Sequence, residues 1–313
     1  MPVRPLQALQ ALRALLALLI VLSAFPAMAR APDQTIHFID RRGETIEGGV
    51  WLPPLDADVA PRALVVISHG NGGWYAGHDD TARALADAGF IVAALTHPGD
   101  NFRDHSRALQ LTGRAPQLSA LIDYMVADWR GPIAVDPDRI GAFGFSAGGF
   151  TVTSIVGGVS DLRAIRDHCA AHPDLFACRL LAMDPIDAAG WGPETRDVRV
   201  KAAVIAAPAF GESFTTASLA SITLPIQLWQ AADDQILPAP YNVEPIRDRL
   251  GRAPEYHRVA HAGHFDFLPA CGPQMKTDLP ELCASAPGFD RAAFKAEFNS
   301  QVVAFFRAAL SAP

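Results

Sequence analysis

The sequence predicts an α/β fold: a doubly wound, mainly parallel sheet with a small inserted cap. Three observations lead to it. Short, wholly apolar, β-branched runs such as Ala63–Ser68 have the composition of strands covered on both faces. Helical segments bounded by glycine and proline alternate with these runs. The chain has 313 residues, half of them hydrophobic and 19% charged, which suffices for one substantial core and argues against disorder. There is no internal repeat, and no low-complexity tract follows residue 29.

The first segment, residues 1–29, is expected to stand outside this fold as a secretory signal peptide. Arg4 and Arg13 precede any acidic residue, Ala14 to Phe25 is an apolar run broken only by Ser23, and Ala27-Met28-Ala29 offers small residues at a cleavage position. The run is shorter than the roughly 18 residues expected of a membrane span. No cysteine sits at the cut to carry a lipid anchor. Cleavage there removes two of 26 basic and none of 33 acidic residues, taking the net charge from −7 to −9. An acidic chain without a Lys/Arg run offers nothing to nucleic acid. The expected location is exported, periplasmic or secreted, with no stable membrane anchor after cleavage. The remaining residues, 30–313, are expected to form the folded domain.

Thr35–Asp40 and Thr45–Leu52 flank the turn-like Arg41–Glu44 and read as a leading hairpin. Pro53, Pro54 and Pro61 make a loop before the strand Ala63–Ser68. His78–Ala88 is a helix closed by Gly89, and Phe90–Leu95 is the next strand. Pro116–Val126 is a helix with proline in its first turn. Ile140–Phe145 is a strand and Ala147–Val156 a helix. Strands follow at Val200–Ala206, Ile226–Gln230 and Tyr256–Val259, with a helix at Val243–Leu250. In the closing segment Asp290–Leu310, Phe294, Phe298, Val302, Phe305 and Phe306 share one helical face. Residues 160–199 interrupt the rhythm with prolines and no clear strand. They are expected to form a cap over the C-terminal edge of the sheet, where open α/β folds bind ligands.

The cysteines are Cys169, Cys178, Cys271 and Cys283. Export permits disulfides, and four cysteines allow three pairings. The sequence-local pairs, Cys169–Cys178 and Cys271–Cys283, are the simplest. His168 and His172 flank Cys169, but no Cys-x2-Cys knuckle accompanies them, so no metal site is expected.

Gly144-Phe145-Ser146-Ala147-Gly148 carries the chemistry. A strand runs into this Gly-x-Ser-x-Gly pattern and a helix runs out, the context of the nucleophile elbow of the α/β-hydrolase fold. The turn is tight and the serine strained, so its neighbours must lack bulk. Serine is a weak nucleophile and needs a base. In this fold the histidine comes last, and His264 lies in the loop after the strand Tyr256–Val259. His261 competes with it, whereas His257 falls inside the strand. Gly263 is expected to give His264 a sharp loop position. The acid follows the strand Ile226–Gln230, where Asp233 and Asp234 both stand ahead of Pro238. An oxyanion hole needs backbone donors, and Ser68-His69-Gly70-Asn71-Gly72-Gly73 follows the first central strand. We assign the N–H groups of Asn71 and Ala147. His69 reads as a brace for that loop. His97 and Asp100-Asn101 either rim the pocket or cap the sheet.

With these motifs the chain resembles the dienelactone-hydrolase-like α/β-hydrolases, related to the platelet-activating-factor acetylhydrolases. Ser68–Gly73, Thr96-His97-Pro98-Gly99-Asp100-Asn101, Gly144–Gly149, the Asp233–Pro238 turn and Gly263-His264-Phe265 carry the resemblance. It spans most of residues 35–310. It implies a carboxylic ester hydrolase without cofactor, acting on small-molecule esters. It favours Asp234, four residues before Pro238, as the acid; relatives with two adjacent acids that use the first would select Asp233. True dienelactone hydrolases use a cysteine nucleophile where this chain has Ser146, so the dienelactone substrate does not carry over. A peptidase or amidase, or a lipase or polyesterase, could run on the same three residues. A silent binding protein would be expected to have lost at least one of them. The charged residues scattered through 160–199 argue for short, soluble esters over long-chain lipids.

Overall fold

The computed structural model describes residues 31–54, 60–189, 191–192 and 195–311. The signal-peptide reading of residues 1–29 lies outside these. Eight strands form one sheet: β1 (Gln34–Ile39), β2 (Thr45–Trp51), β3 (Arg62–Ser68), β4 (Ile91–Leu95), β5 (Val135–Phe145), β6 (Val200–Ala206), β7 (Ile226–Ala231) and β8 (Glu255–Val259). Their spatial order is β1-β2-β4-β3-β5-β6-β7-β8. The pairs β1–β2 and β2–β4 are antiparallel, and every pair from β4 onward is parallel. This is the α/β-hydrolase fold.

The apolar strands bury residues on both faces. In β3, Leu64 and Val66 enter one core and Val65 and Ile67 the other, as a side-chain period of two requires. On the first face lie α2 (Arg114–Ala127), α3 (Ala147–Ile155), α6 (Thr216–Ala220) and α7 (Val243–Arg249). On the second lie α1 (Asp79–Asp87) and α10 (Arg291–Ala309). In α10 the predicted face is buried through Phe298, Val302, Phe305 and Phe306, and the Asp290 carboxylate caps the helix by accepting from the Ala293 N–H at 3.0 Å.

Strand β5 starts five residues before the expected Ile140. Val135 and Asp136 pair with Arg62 and Ala63, and the register then shifts before Leu64 meets Ile140. Pro137 falls inside this extension: proline cannot donate to a ladder, but at a bulge it need not.

Within residues 160–199, the described residues include two helices, α4 (Leu162–Ala171) and α5 (Phe176–Met183). Asp161 caps α4 by accepting from the Arg163 N–H at 2.8 Å, so an aspartate ahead of Leu162 marks the helix start. Disulfides close both local pairs. Cys169–Cys178 joins α4 to α5, and Cys271–Cys283 ties α8 (Pro273–Asp278) and α9 (Pro280–Cys283) into one loop. Disulfides belong to oxidising compartments. Among the described residues, no helix is long and apolar enough to cross a membrane.

Candidate active site

The C-terminal ends of β3, β5, β7 and β8 converge. β5 delivers Ser146 at φ 57° and ψ −120°, a conformation that strains a non-glycine residue. Backbone bonds hold it there: its N–H donates to Ala206 at 3.0 Å, and its carbonyl accepts from Ala209 at 3.0 Å and Phe150 at 3.1 Å. The flanking glycines are a steric demand. A Cβ on Gly144 would lie 2.1 Å from the Gly148 oxygen, and one on Gly148 would lie 1.9 Å from the Ser68 oxygen.

His264 opens a 3-10 turn (His264–Phe267) after β8, its ring 4.8 Å from that of Phe145. Its Nε2 is 3.0 Å from Ser146 Oγ and its Nδ1 is 2.7 Å from Asp234 Oδ2. The other oxygen of Asp234 accepts from the Ile236 and Leu237 N–H groups at 2.9 and 2.7 Å. The structure therefore places Asp234, and not Asp233, against His264. Asp233 points to solvent, with its side chain 54% exposed. It lies 3.6 Å from His261, which is itself 80% exposed. His257 stacks on Trp229 and bonds Glu255 at 2.8 Å. The sharp turn expected at Gly263 occurs two residues earlier: His261 has φ 61°, whereas Gly263 is extended and has room for a Cβ. What fixes the histidine loop is Asp266. Its carboxylate accepts from the Gly263 N–H at 2.7 Å and from Arg291 Nε at 2.9 Å. Arg291 also donates to the carbonyls of Leu282 and Ala284 at 2.7 and 2.8 Å.

Asn71, Ser146 and Ala147 line one cavity of about 70 Å³. Its walls are otherwise apolar and include Leu111, Phe210, Ile236 and Leu237, with Phe176 and Leu180 from α5. Ala147 is the first residue of α3, so its N–H has no carbonyl one turn back to bond. The dipole of that helix favours negative charge at this end.

Behind the Asn71 loop lies a polar network that the sequence reading did not assemble. His69 Nε2 accepts from the His97 N–H at 3.0 Å, and its Nδ1 lies 2.6 Å from the Gly70 oxygen. His97 sits between Ser68 Oγ at 2.8 Å and Gln117 Oε1 at 2.7 Å. Burial, and then the nearby Arg114 charge, hold both imidazoles well below their ordinary pKa. They are neutral braces, and His97 is a buried support rather than a pocket rim. Arg114 and Asp100 form a buried ion pair at the centre of the network. Asp100-Asn101 was visible as a motif, but a single arginine ahead of an apolar helix carries no sequence signal. The rings of His168 and His172 pack tilted against Tyr241, with centroids 4.8 and 4.6 Å away. Among the described residues, no group of histidine, cysteine or carboxylates is placed to hold a metal.

No protein-family model matches the chain, and no curated protein matches it. Solved structures do. A puromycin-hydrolysing peptidase from Mycobacterium tuberculosis is similar at 16% identity and TM-score 0.59, covering 93% of this chain and 41% of its own. A ferulic acid esterase from Streptomyces cinnamoneus is similar at 18% identity and TM-score 0.56, covering 93% and 95%. A thermophilic esterase from the planctomycete Thermogutta terrifontis, bound to propionate, is similar at 14% identity and TM-score 0.52, covering 92% and 98%. This chain thus spans about two fifths of the peptidase and nearly all of either esterase. At these identities the likeness establishes the shared fold.

Proposed function

We propose that this protein is an exported serine hydrolase that cleaves small carboxylic esters, a serine-nucleophile member of the dienelactone-hydrolase-like group. One observation carries the reading: Ser146 Oγ, His264 and Asp234 lie in a single hydrogen-bonded line, at 3.0 and 2.7 Å, beside an apolar cavity.

In this mechanism Ser146 Oγ attacks the ester carbonyl carbon while its proton passes to His264 Nε2. Asp234 accepts from Nδ1–H, fixing the tautomer and stabilising the imidazolium. The carbonyl oxygen, now an oxyanion, is received by the N–H groups of Asn71 and Ala147, each such donor being worth roughly 10²–10³ in rate. The tetrahedral intermediate collapses, the C–O bond breaks, and His264 returns the proton to the leaving alcohol. Water then attacks the acyl-serine with His264 again as base, releasing the acid and restoring Ser146. These side chains suffice without a metal or cofactor.

Residues 160–199 act as a cap in this reading, since α5 contributes Phe176, Ala177 and Leu180 to the wall facing Ser146. A cavity of about 70 Å³ walled on one side by a disulfide-tied helix suits a short acyl group. The similar esterase from Thermogutta terrifontis has propionate, a short acyl acid, bound. The test is kcat/KM for the protein across an acyl ester series, with amides and polyesters included. Buried CH₂ groups gain only about 0.8 kcal/mol each until the pocket is full, so the optimum is expected at about C2 to C6. An optimum at about C12 or beyond, or activation at an oil interface, would replace this reading with a lipase. Amide turnover exceeding ester turnover would replace it with a peptidase.

A further inference from the structure

The two halves of the proposed oxyanion hole come from different parts of the chain. Asn71 lies on the loop after β3, and Ala147 opens α3 after β5. For both N–H groups to point at one oxygen, something must hold the loop and the helix start in fixed relation. Arg114, the first residue of α2, bonds the loop directly and reaches the start of α3 through Thr151.

Toward the loop, Arg114 donates to the His69 carbonyl and to Asp100 Oδ2. The second oxygen of Asp100 accepts from the Gly72 N–H at 2.8 Å and from Asn71 Nδ2 at 3.0 Å. His69, two residues before Asn71, and Gly72, one residue after it, are thereby tied to one ion pair. Toward the helix, Arg114 Nε donates to Thr151 Oγ1 at 3.0 Å, and the Thr151 hydroxyl donates to the Ala147 carbonyl at 2.9 Å. Arg114 and Asp100 are 3% and 2% exposed, so neither can relax into solvent. Lysine could not do the same work. Its three donors radiate from a single atom, whereas the guanidinium is a rigid fork able to bond in several directions at once.

We propose that Arg114, with Asp100 as its counter-ion, is a positioning residue that sets the spacing of the Asn71 and Ala147 N–H donors. This inference rests on the ester-hydrolase reading above. Neither side chain touches the reacting atoms; each acts through the backbone of the hole. A mispositioning of about 1 Å at a reacting centre can lower the rate on the order of 10²-fold, and the loss should fall on kcat because the oxyanion exists only past the ground state.

The experiment compares wild type with Arg114→Lys, Asp100→Asn and Thr151→Val on an ester and on its thiono analogue, in which sulfur replaces the carbonyl oxygen. A hole set for oxygen discriminates against the larger, weakly accepting sulfur. For Arg114→Lys and Asp100→Asn, kcat on the ester should fall by about 10²-fold with KM changed less than about twofold, and the oxygen-to-sulfur rate ratio should fall with it. Thr151→Val cuts only the helix-side link while keeping the shape of the side chain, so it tests the idea even if the charge variants fail to fold. It should lower kcat by about tenfold and lower the same ratio. Folded variants with an unchanged ratio would overturn the positioning role while leaving the ester-hydrolase reading intact. A wild-type protein without ester turnover would overturn both.

Discussion

Asp233 and Asp234 are chemically identical neighbours with opposite environments. Asp234 is 4% exposed and bonded through both oxygens, while Asp233 is 54% exposed. Asp234→Asn should therefore reduce kcat by about 10⁴-fold, since the amide cannot stabilise the imidazolium, whereas Asp233→Asn should stay within about twofold. Steady-state kinetics of the pair checks this, and equal losses would contradict it. Ser146→Ala should leave less than about a tenth of wild-type kcat with the fold intact. A different residue-scale effect arises at Glu212, which lines a small space next to the cavity beside Ser146, with His168, Phe210 and Asn242. Its Oε2 is buried without a hydrogen-bond partner among the described residues. Burial pushes the carboxyl up to about 7, against the pull of its own backbone N–H and of Arg249. The folded state therefore holds this proton more tightly than the unfolded chain does. The resulting stability is fully present below about pH 4.5 and is lost as pH rises through about 7. Glu212→Gln should be more stable than wild type above pH 8, by up to about 3 kcal/mol, and should match it near pH 4. Urea midpoints at the two pH values measure the difference, and a variant less stable at both would sink the assignment.

At the scale of elements, α4 and α5 bury few residues between them, chiefly Ile165 and Cys178. Two such helices have little core of their own and lean on the Cys169–Cys178 bridge. Replacing both cysteines by serine releases a loop of nine-residue separation. The chain-entropy model assigns such a bridge about 2–3 kcal/mol. Because α5 walls the cavity beside Ser146, the loss should be local. The expected outcome is a fold retained by far-UV circular dichroism, a raised KM, and an acyl optimum shifted toward longer chains as the wall loosens. An unchanged chain-length profile would show that α5 does not bound the acyl group. The second bridge behaves differently, since it closes the segment whose Leu282 and Ala284 carbonyls Arg291 grips, and Arg291 in turn holds Asp266 under the histidine loop.

Across the whole molecule, α1 and α10 meet through a buried polar cluster on the face of the sheet away from α2. Lys295, on the buried stripe of α10 between Arg291 and Phe298, lies 3.4 Å from Asp80 and donates to Thr81 Oγ1 at 3.2 Å and the Phe267 carbonyl at 3.1 Å. Beside it, His78 packs edge-on against Phe143 and Phe145, and neither of its ring nitrogens has a hydrogen-bond partner among the described residues. Burial, and then the Lys295 charge, push this imidazole down to about 3. Its contribution is present above about pH 6.5 and is lost as pH falls toward 3, because the unfolded chain takes up a proton the folded state refuses. His78→Leu should therefore flatten the acid limb of the stability curve, gaining about 3 kcal/mol on wild type at pH 4 relative to the same comparison at pH 7. Parallel acid limbs for the two proteins would rule this out.

What the sequence determined by itself is what local chemistry and chain order dictate. Apolar β-branched runs alternating with punctuated helices specify a parallel sheet covered on both faces. Gly144 and Gly148 around Ser146 mark a turn where any Cβ would strike backbone oxygen. The expected order serine, acid, histidine points to the loop that holds His261 and His264, and the spacing of the cysteines marks two short loops. Each of these signals is either local or read from the order of segments along the chain. Tertiary structure decided whatever depends on which groups share a low-dielectric space. Asp234 and Asp233 differ only in which one the end of β7 turns inward. His261, and not Gly263, takes the left-handed turn because the Asp266–Arg291 pair holds the loop from a distance in sequence. Arg114, Asp100, His69 and His97 come from three separate stretches of chain and meet behind the Asn71 loop. A buried charge is stable only beside its partner, and no periodicity or composition records where that partner will be.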